Sequence, residues 1–301
     1  MSELSAIIVN YNAGAVLLEA VNSLLSSASI GKVFVVDNDS EDNSMRELEP
    51  VAASDSRVVC ISNNRNLGFA KACNIGIAAD GESDYLLFLN PDCIIDNDAL
   101  EKLLNCLKAS PESGMAGPLL LNPDGTEQAG GRRSIPTPWS AFVHSSGLSK
   151  LSNYYPEKFS DFLLDKQPLP EFPVEIEAIS GSCMLVKRKA LLDVGVLDAG
   201  YFLHCEDLDW CMRFSEKGWK IMFVPDAKAM HYKGVCSEKR PVFVEWHKHK
   251  GMVRFYNKFF RYKYPAFLLL MINAAVLLRF VAVSFYRSAT MIKQRLKSDI
   301  A

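Results

Sequence analysis

The sequence predicts an α/β fold built on an open, mostly parallel sheet flanked by helices. Three observations carry that expectation: short, almost uninterrupted apolar runs near the start of the chain, helix-patterned stretches between them, and a polar cluster directly after each run. A parallel strand is covered on both faces, so both of its sides are apolar. Strand and helix alternation at this spacing closes as right-handed crossovers onto one sheet.

In chain order, strands are expected at residues 4–9, 32–36, 57–61 and 85–89, with helices at 15–25, 43–53, 69–79 and 97–108. The polar clusters are Asn10-Tyr11-Asn12, Asp37-Asn38-Asp39-Ser40, Asn63 to Asn66 and Asn90-Pro91-Asp92. Ligands of open sheets collect at the carboxyl ends of the strands, which is where these residues fall. Residues 122–173 are rich in proline and glycine and read as an irregular, substrate-facing segment. A strand pair over 174–187 follows, then a helix over 205–217 that stops at Gly218, a strand over 219–224 and a short strand ending at His231.

The composition, 301 residues with 49% hydrophobic and 23% charged, excludes a disordered or collagen-like chain and suits one large domain with an appendage. Eight cysteines (60, 73, 93, 106, 183, 205, 211, 236) form no C-x-x-C pair, which argues against a zinc cluster or a disulfide framework and for a reducing compartment. The first residues have no basic region and only a short apolar run, so no signal peptide is expected and the chain is read as starting in the cytosol. Net charge is divided unevenly: residues 231–301 hold 14 Lys and Arg against 3 Asp and Glu, while the rest hold 19 against 32. The basic residues flank an apolar run, which favours an anionic membrane surface over nucleic acid.

No G-x-G-x-x-G follows the first strand and there is no Walker lysine loop, so dehydrogenase and P-loop readings fall away. The strand ends instead present carboxylates and amides. Asp92 suits Mg²⁺ or Mn²⁺ on a diphosphate, or serves as an ordinary turn residue. Glu206, Asp207 and Asp209 open a helix whose dipole favours their ionised forms. They are either caps, with Asp209 pairing Arg213 one turn on, or they include a general base. His231, at a strand end, is a structural imidazole or a metal ligand.

Together, Ile7-Ile8-Val9-Asn10-Tyr11-Asn12, Val35-Val36-Asp37-Asn38-Asp39-Ser40, Asn66-Leu67-Gly68-Phe69-Ala70-Lys71-Ala72-Cys73-Asn74, Leu89-Asn90-Pro91-Asp92, Gly181-Ser182-Cys183-Met184 and Cys205-Glu206-Asp207-Leu208-Asp209 resemble the ordered motifs of family 2 glycosyltransferases. Within that family they look most like bacterial cell-envelope rhamnosyltransferases. The resemblance spans residues 4–235 and implies a GT-A domain over 1–235 with a basic, apolar helical segment over 236–301. It implies inverting transfer from a nucleotide-diphospho-sugar, with dTDP-β-L-rhamnose as donor and a saccharide or polyprenyl-diphosphate-linked saccharide as acceptor; the rivals are a UDP-hexose donor and a silent sugar-nucleotide-binding scaffold. By the same resemblance Asp37 and Asn38 hold the nucleobase and ribose, Val9 and Tyr11 line that slot, and Gly68 and Asn74 belong to the segment covering the nucleotide. Asp92 stands at the second carboxylate of the Asp-x-Asp motif, with Asn90 in place of the first; His231 matches a late metal-binding histidine, and the Glu206-Asp207 pair supplies the base at Asp207. Cys73 stands where many relatives carry arginine or glycine.

Residues 246–264 interleave cations with aromatic rings, as an interfacial helix does. The apolar run 265–286 is interrupted by Asn273 and Arg279, and its longest uncharged stretch, 265–278, is shorter than the roughly 18–20 residues that span a bilayer. A peripheral or monotopic anchor at the cytoplasmic face of the membrane is therefore expected.

Overall fold

The computed structural model describes residues 3–232, 234 and 240–298, with side chains to residue 290. The boundary expected at 235/236 and Cys236 lie outside the described residues. The parallel core is as the sequence predicts: β1 (Leu4–Asn10), α1 (Val16–Leu25), β2 (Ile30–Asp37), α2 (Ser44–Ser54), β3 (Val58–Ser62), α3 (Phe69–Asp80) and β4 (Tyr85–Leu89). β1 pairs parallel with β2 and β4, and β2 pairs parallel with β3. Every residue of β1 is buried, and successive side chains enter opposite layers: Ala6 and Ile8 one, Ile7 and Val9 the other. Leu17, Ala20, Val21 and Leu24 give α1 one apolar face for the sheet. On the other side α3 approaches closely because Gly76 has no side chain; a Cβ there would sit 2.6 Å from Ile7 Cγ2.

The second half departs from the expected pattern. After β5 (Cys93–Ile95), α4 (Ala99–Ala109) and β6 (Ser113–Leu121) comes the segment expected to be irregular, which contains β7 (Arg132–Arg133), α5 (Pro138–Ser146), a 3-10 turn over Leu148–Asn153 and α6 (Pro156–Phe159). α5 starts where Thr137 Oγ1 accepts the Ser140 N–H at 3.1 Å and Pro138 opens the first turn, a pairing of signals that favours helix entry. The expected strand pair over 174–187 is three strands with three different partners: β8 (Val174–Ile176), β9 (Ala178–Ile179) and β10 (Cys183–Lys187). β9 joins β7 in a small second sheet, while β10 inserts antiparallel between β4 and β6. After α7 (Arg188–Val194) and α8 (Glu206–Glu216), the two strands expected over 219–231 are one, β11 (Lys220–His231). Its pairing with β6 shifts register between Val224 and Lys228, where Pro225 has no N–H to give the ladder. β8 pairs antiparallel on β11, and the main sheet runs β3-β2-β1-β4-β10-β6-β11-β5.

The last two helices, α9 (Pro241–Phe259) and α10 (Ala266–Ser298), differ from each other. α9 packs into the body of the sheet domain: Phe255, Tyr256 and the following Phe260 join the cluster of Phe88, Trp210 and Phe214. Its cations meet acidic partners there, Arg254 with Asp198 at 3.0 Å and Lys258 with Asp209 at 2.6 Å. α10 returns antiparallel along α9. Asn273 Nδ2 donates to Asn257 Oδ1 at 3.2 Å, Arg279 Nη1 donates to His249 Nε2 at 3.3 Å, and Phe280 packs against Trp246. The two polar residues that interrupt the apolar run therefore face α9, while Phe267, Leu270, Met271, Leu278, Val281 and Phe285 are exposed. Over Ala266–Thr290, 25 residues, the helix is long and apolar enough to cross a membrane by length and composition. The expectation of a stretch too short to span counted only the uncharged residues; the helix runs on through Arg279, whose guanidinium meets His249 of α9.

Candidate active site at the sheet rim

At the ends of β1 and β2, Asp37 Oδ1 accepts from Asn10 Nδ2 at 2.9 Å and Oδ2 accepts the Ser40 N–H at 3.2 Å. Asp39 and Asn12 hold left-handed backbone, φ +69° and +54°, which turns both loops sharply at the rim. Asn12 Oδ1 accepts the Glu41 N–H at 2.8 Å, tying the first loop to the second. Asn38 ties the second to the third: Oδ1 accepts from Asn63 Nδ2 (3.0 Å) and the Leu67 N–H (3.3 Å), and Nδ2 donates to Gly68 O (3.3 Å). Val9 is buried beneath this rim and Tyr11 is half-buried upon it. The residues expected to form the nucleotide slot are thus assembled, with Asn38 fully engaged in fixing loops.

Gly68 has φ +85°, and a Cβ there would meet Phe202 O at 2.5 Å; the next N–H, of Phe69, donates to that same carbonyl at 2.7 Å. Asn74 reads the backbone of Leu197 both ways, donating to its carbonyl at 2.9 Å and accepting its N–H at 3.1 Å. The segment expected to cover the nucleotide is therefore locked onto residues 197–202, which lead straight into α8. Gly68 and Asn74 set its position by backbone fit.

Asp92 and His231 meet. β5 and β11 pair His231 opposite Cys93, and Nε2 of the imidazole stands 3.1 Å from Asp92 Oδ1, both side chains buried. Gln128, which the sequence reading missed, sets the imidazole. Its Nε2 donates to His231 O (3.2 Å) and Asn122 Oδ1 (3.1 Å), so its Oε1, 2.6 Å from Nδ1, takes that ring proton. Nε2 is thereby aimed at the Asp92 carboxylate oxygen, which sets an imidazole nitrogen and a carboxylate oxygen side by side as two ligands of one cation would be. The donor set of one oxygen and one imidazole nitrogen fits Mn²⁺, and Mg²⁺ with more water. Among the described residues no group of three or more His, Cys, Asp or Glu gathers around a metal position. Asn90, in place of another carboxylate, points Nδ2 at His231 Nε2 from 3.4 Å.

Asp207 lies in the first turn of α8. Oδ1 accepts the Leu208 N–H at 2.8 Å; Oδ2 accepts the Gly181 N–H at 3.0 Å and pairs with Arg133 of β7. Three donors thus converge on this one carboxyl. The turn that supplies Gly181 also reaches the Asp92–His231 pair, since Ser182 O accepts the Asn90 N–H at 2.9 Å and Ser182 Oγ accepts from Asn90 Nδ2 at 3.3 Å. One chain of polar contacts thus runs Asp207, Gly181-Ser182, Asn90, His231, Asp92. Glu206 is the contrast: burial, and then the charge of Asp207, push its carboxyl up to about 8, and its Oε2 has no hydrogen-bond partner. Asp209 pairs with Arg213 at 2.7 Å, as expected of it, and is fully buried. His204 and Cys205 enter the helix in left-handed backbone, φ +67° and +69°, a conformation costing roughly 1–3 kcal/mol for such residues. Gly251 of α9 lies so close that a Cβ would be 2.9 Å from His204 O, so α9 braces this entry.

A doubly covered sheet with this rim defines a GT-A nucleotide-sugar transferase. The chain belongs to glycosyl transferase family 2, whose model matches residues 5–195, and a second model, glycosyltransferase like family 2, matches 169–249. It is a glycosyltransferase, similar to enzymes named as rhamnosyltransferases. The N-acetylglucosaminyl-diphospho-decaprenol L-rhamnosyltransferase of Mycobacterium tuberculosis is 28% identical over 251 residues, 79% of this chain and 78% of that one. The dTDP-rhamnosyl transferase RfbF of Shigella flexneri is 27% identical over 244 residues, 79% and 72% of the two chains. In structure the chain is similar to a mannosyltransferase of Pyrobaculum calidifontis solved with GDP-Man and Mn²⁺, with a TM-score of 0.58 and 13% identity over 96% of this chain and 75% of that one.

Proposed function

We propose that this enzyme transfers L-rhamnose, with inversion, from dTDP-β-L-rhamnose to a saccharide carried on a polyprenyl diphosphate, at the cytoplasmic face of the cell membrane during envelope polysaccharide synthesis. The observation that carries the chemistry is the chain of polar contacts linking Asp207 to the Asp92–His231 pair. It supports a reading with a proton acceptor at one end of the site and the diphosphate at the other. The donor and acceptor come from the names of the two bacterial relatives.

The acceptor hydroxyl attacks the anomeric carbon as the bond to the diphosphate breaks, and its proton passes to Asp207 Oδ2 or Oδ1. The Gly181 and Leu208 N–H groups hold that carboxylate in place before the proton arrives. Asp92 and His231 would hold a divalent cation, which supplies neutralisation of the negative charge growing on the leaving diphosphate. Asp37 and the loops fixed by Asn38 hold the nucleoside, while Gly68 and Asn74 keep the covering segment against the body of the domain. The exposed apolar face of α10 and the basic residues beside it bring the site to lipid-borne acceptor.

A thermal-unfolding panel of dTDP- and UDP-sugars, followed by turnover of each stabilising donor, tests the reading. A donor at 100 times its Kd adds about 2.7 kcal/mol of stability. Stabilisation and turnover with dTDP-rhamnose support the proposal; a response confined to UDP-hexoses replaces the donor, and binding without turnover of any donor points to a silent scaffold.

A further inference from the structure

Arg133 and Asp207 are 74 positions apart, one on strand β7 and the other in the first turn of helix α8, yet the guanidinium lies on the carboxylate oxygen that also takes the Gly181 N–H. Leu208 N–H takes one site on Oδ1, while Gly181 N–H and Nη2 together occupy Oδ2, so that oxygen has no lone pair left for an incoming proton. The guanidinium itself is incompletely held: Nη2 also reaches Ile179 O at 3.3 Å, but Nε is buried with no partner. Its backbone is a two-residue strand, β7, paired to the two-residue β9, and beyond it the chain leaves for the α5–α6 excursion, whose Trp139, Phe142, Tyr154 and Tyr155 are exposed. Arg132, one residue before, is by contrast fully anchored on Glu127 (2.7 Å) and Gln167 O (2.6 Å).

We propose that Arg133 is a positioning residue that caps the base until the saccharide acceptor arrives, and so suppresses hydrolysis of the sugar nucleotide. This rests on Asp207 being the base. In the unwanted reaction water attacks the anomeric carbon, the bond to the diphosphate breaks, one water proton goes to Asp207, and the products are free sugar and nucleoside diphosphate. With Arg133 seated, Oδ2 is closed to that proton. The saccharide hydroxyl takes the place of Nη2 on Oδ2, and the displaced guanidinium, its Nε–H still unpaired, donates to the oxygens of the same saccharide. The ligand class is therefore a hydroxyl-rich sugar, held through a planar cation.

The test compares wild type with Arg133→Gln and Arg133→Lys in the full chain, measuring nucleoside diphosphate release without acceptor and sugar transfer with it. General-base assistance is worth roughly 10²–10⁴-fold, so uncapping should raise the ratio of hydrolysis to transfer at least about tenfold in Arg133→Gln. Arg133→Lys, which keeps the charge and loses the fork, should fall between. Equal loss of both reactions in both variants, or a higher acceptor KM with hydrolysis unchanged, overturns the cap. If Arg133→Gln unfolds, the Arg133→Lys ratio decides alone, and a value equal to wild type overturns it. The assignment of the base fails separately: Asp207→Asn retaining transfer removes that foundation whatever Arg133 does.

Discussion

Asp207→Asn perturbs the site in two ways that the structure separates. The carboxylate accepts from Leu208 N on one oxygen and from Gly181 N and Arg133 on the other. Asparagine has one carbonyl oxygen, so whichever way it turns, its NH₂ faces a donor that has lost its acceptor. A buried donor left unsatisfied costs about 1–3 kcal/mol, and the variant should unfold at correspondingly lower denaturant with an unchanged m-value. The chemical loss is larger. Without a base the acceptor hydroxyl must lose its proton to solvent, a deficit of roughly 10²–10⁴ in turnover, about 2.7–5.5 kcal/mol in the barrier. Donor affinity should stay near wild type, because Asp207 stands at the acceptor side of the chain that ends in Asp92. Steady-state transfer to a soluble short-chain acceptor, denaturant titration and donor calorimetry read the three quantities. Turnover above about a tenth of wild type removes Asp207 as the base, since loss of general-base help alone exceeds that. Unchanged stability would mean that the three donors do not depend on the carboxylate.

Other outcomes follow from the same geometry. Asp92→Ala should lose turnover and cation-dependent donor binding, and His231→Ala should do so more mildly; full activity in excess chelator would sink both assignments. Gln128→Ala frees the imidazole to rotate and should weaken the activating cation about 10–100-fold without touching it, read as a shift in the Mn²⁺ activation curve. Burial raises the folded pKa of Glu206 to about 8 from 4.5, so the native state holds the proton more tightly. Its contribution to stability is full below about pH 4.5 and is lost as pH rises through 8; Glu206→Gln should flatten that fall, and an unaltered stability-pH curve between 5 and 9 refutes it. Removing residues from Ala266 onward should leave a folded enzyme released from anionic vesicles, whereas removing residues from Trp246 should unfold it, because Phe255 and Tyr256 leave the core. Salt should loosen the full chain only in part, and complete release by salt would place the α10 face on protein.

The elements legible in the sequence were those whose signal is local. A buried parallel strand is apolar through its own length, so β1 to β4 could be placed almost to the residue; the rim residues Asp37, Asn38 and Asp92 stood out as polar groups where an apolar run stops, and Asp207 as one of three carboxylates opening a helix. What a side chain touches across the fold has no such signature. β10 looks like half of a hairpin with β8 because both are short apolar runs, and only the closed sheet shows that it fits antiparallel between β4 and β6. Arg132 and Arg133 are neighbours in sequence, yet one faces Glu127 and the other Asp207, since successive strand residues point opposite ways. Gln128 was silent because an amide beside a glycine-rich turn is unremarkable until its partner, 103 positions on, is seen to be a histidine. The C-terminal charge shows the same limit at larger scale. Composition separates an acidic body from a basic tail and suggests two partners, but Arg254 and Lys258 meet Asp198 and Asp209 within the chain, so part of that asymmetry is the two halves binding each other. Aromatic residues interleaved with those cations then belong to the core beneath α8, and it is α10, interrupted in sequence by Asn273 and Arg279, that presents a largely apolar face outward.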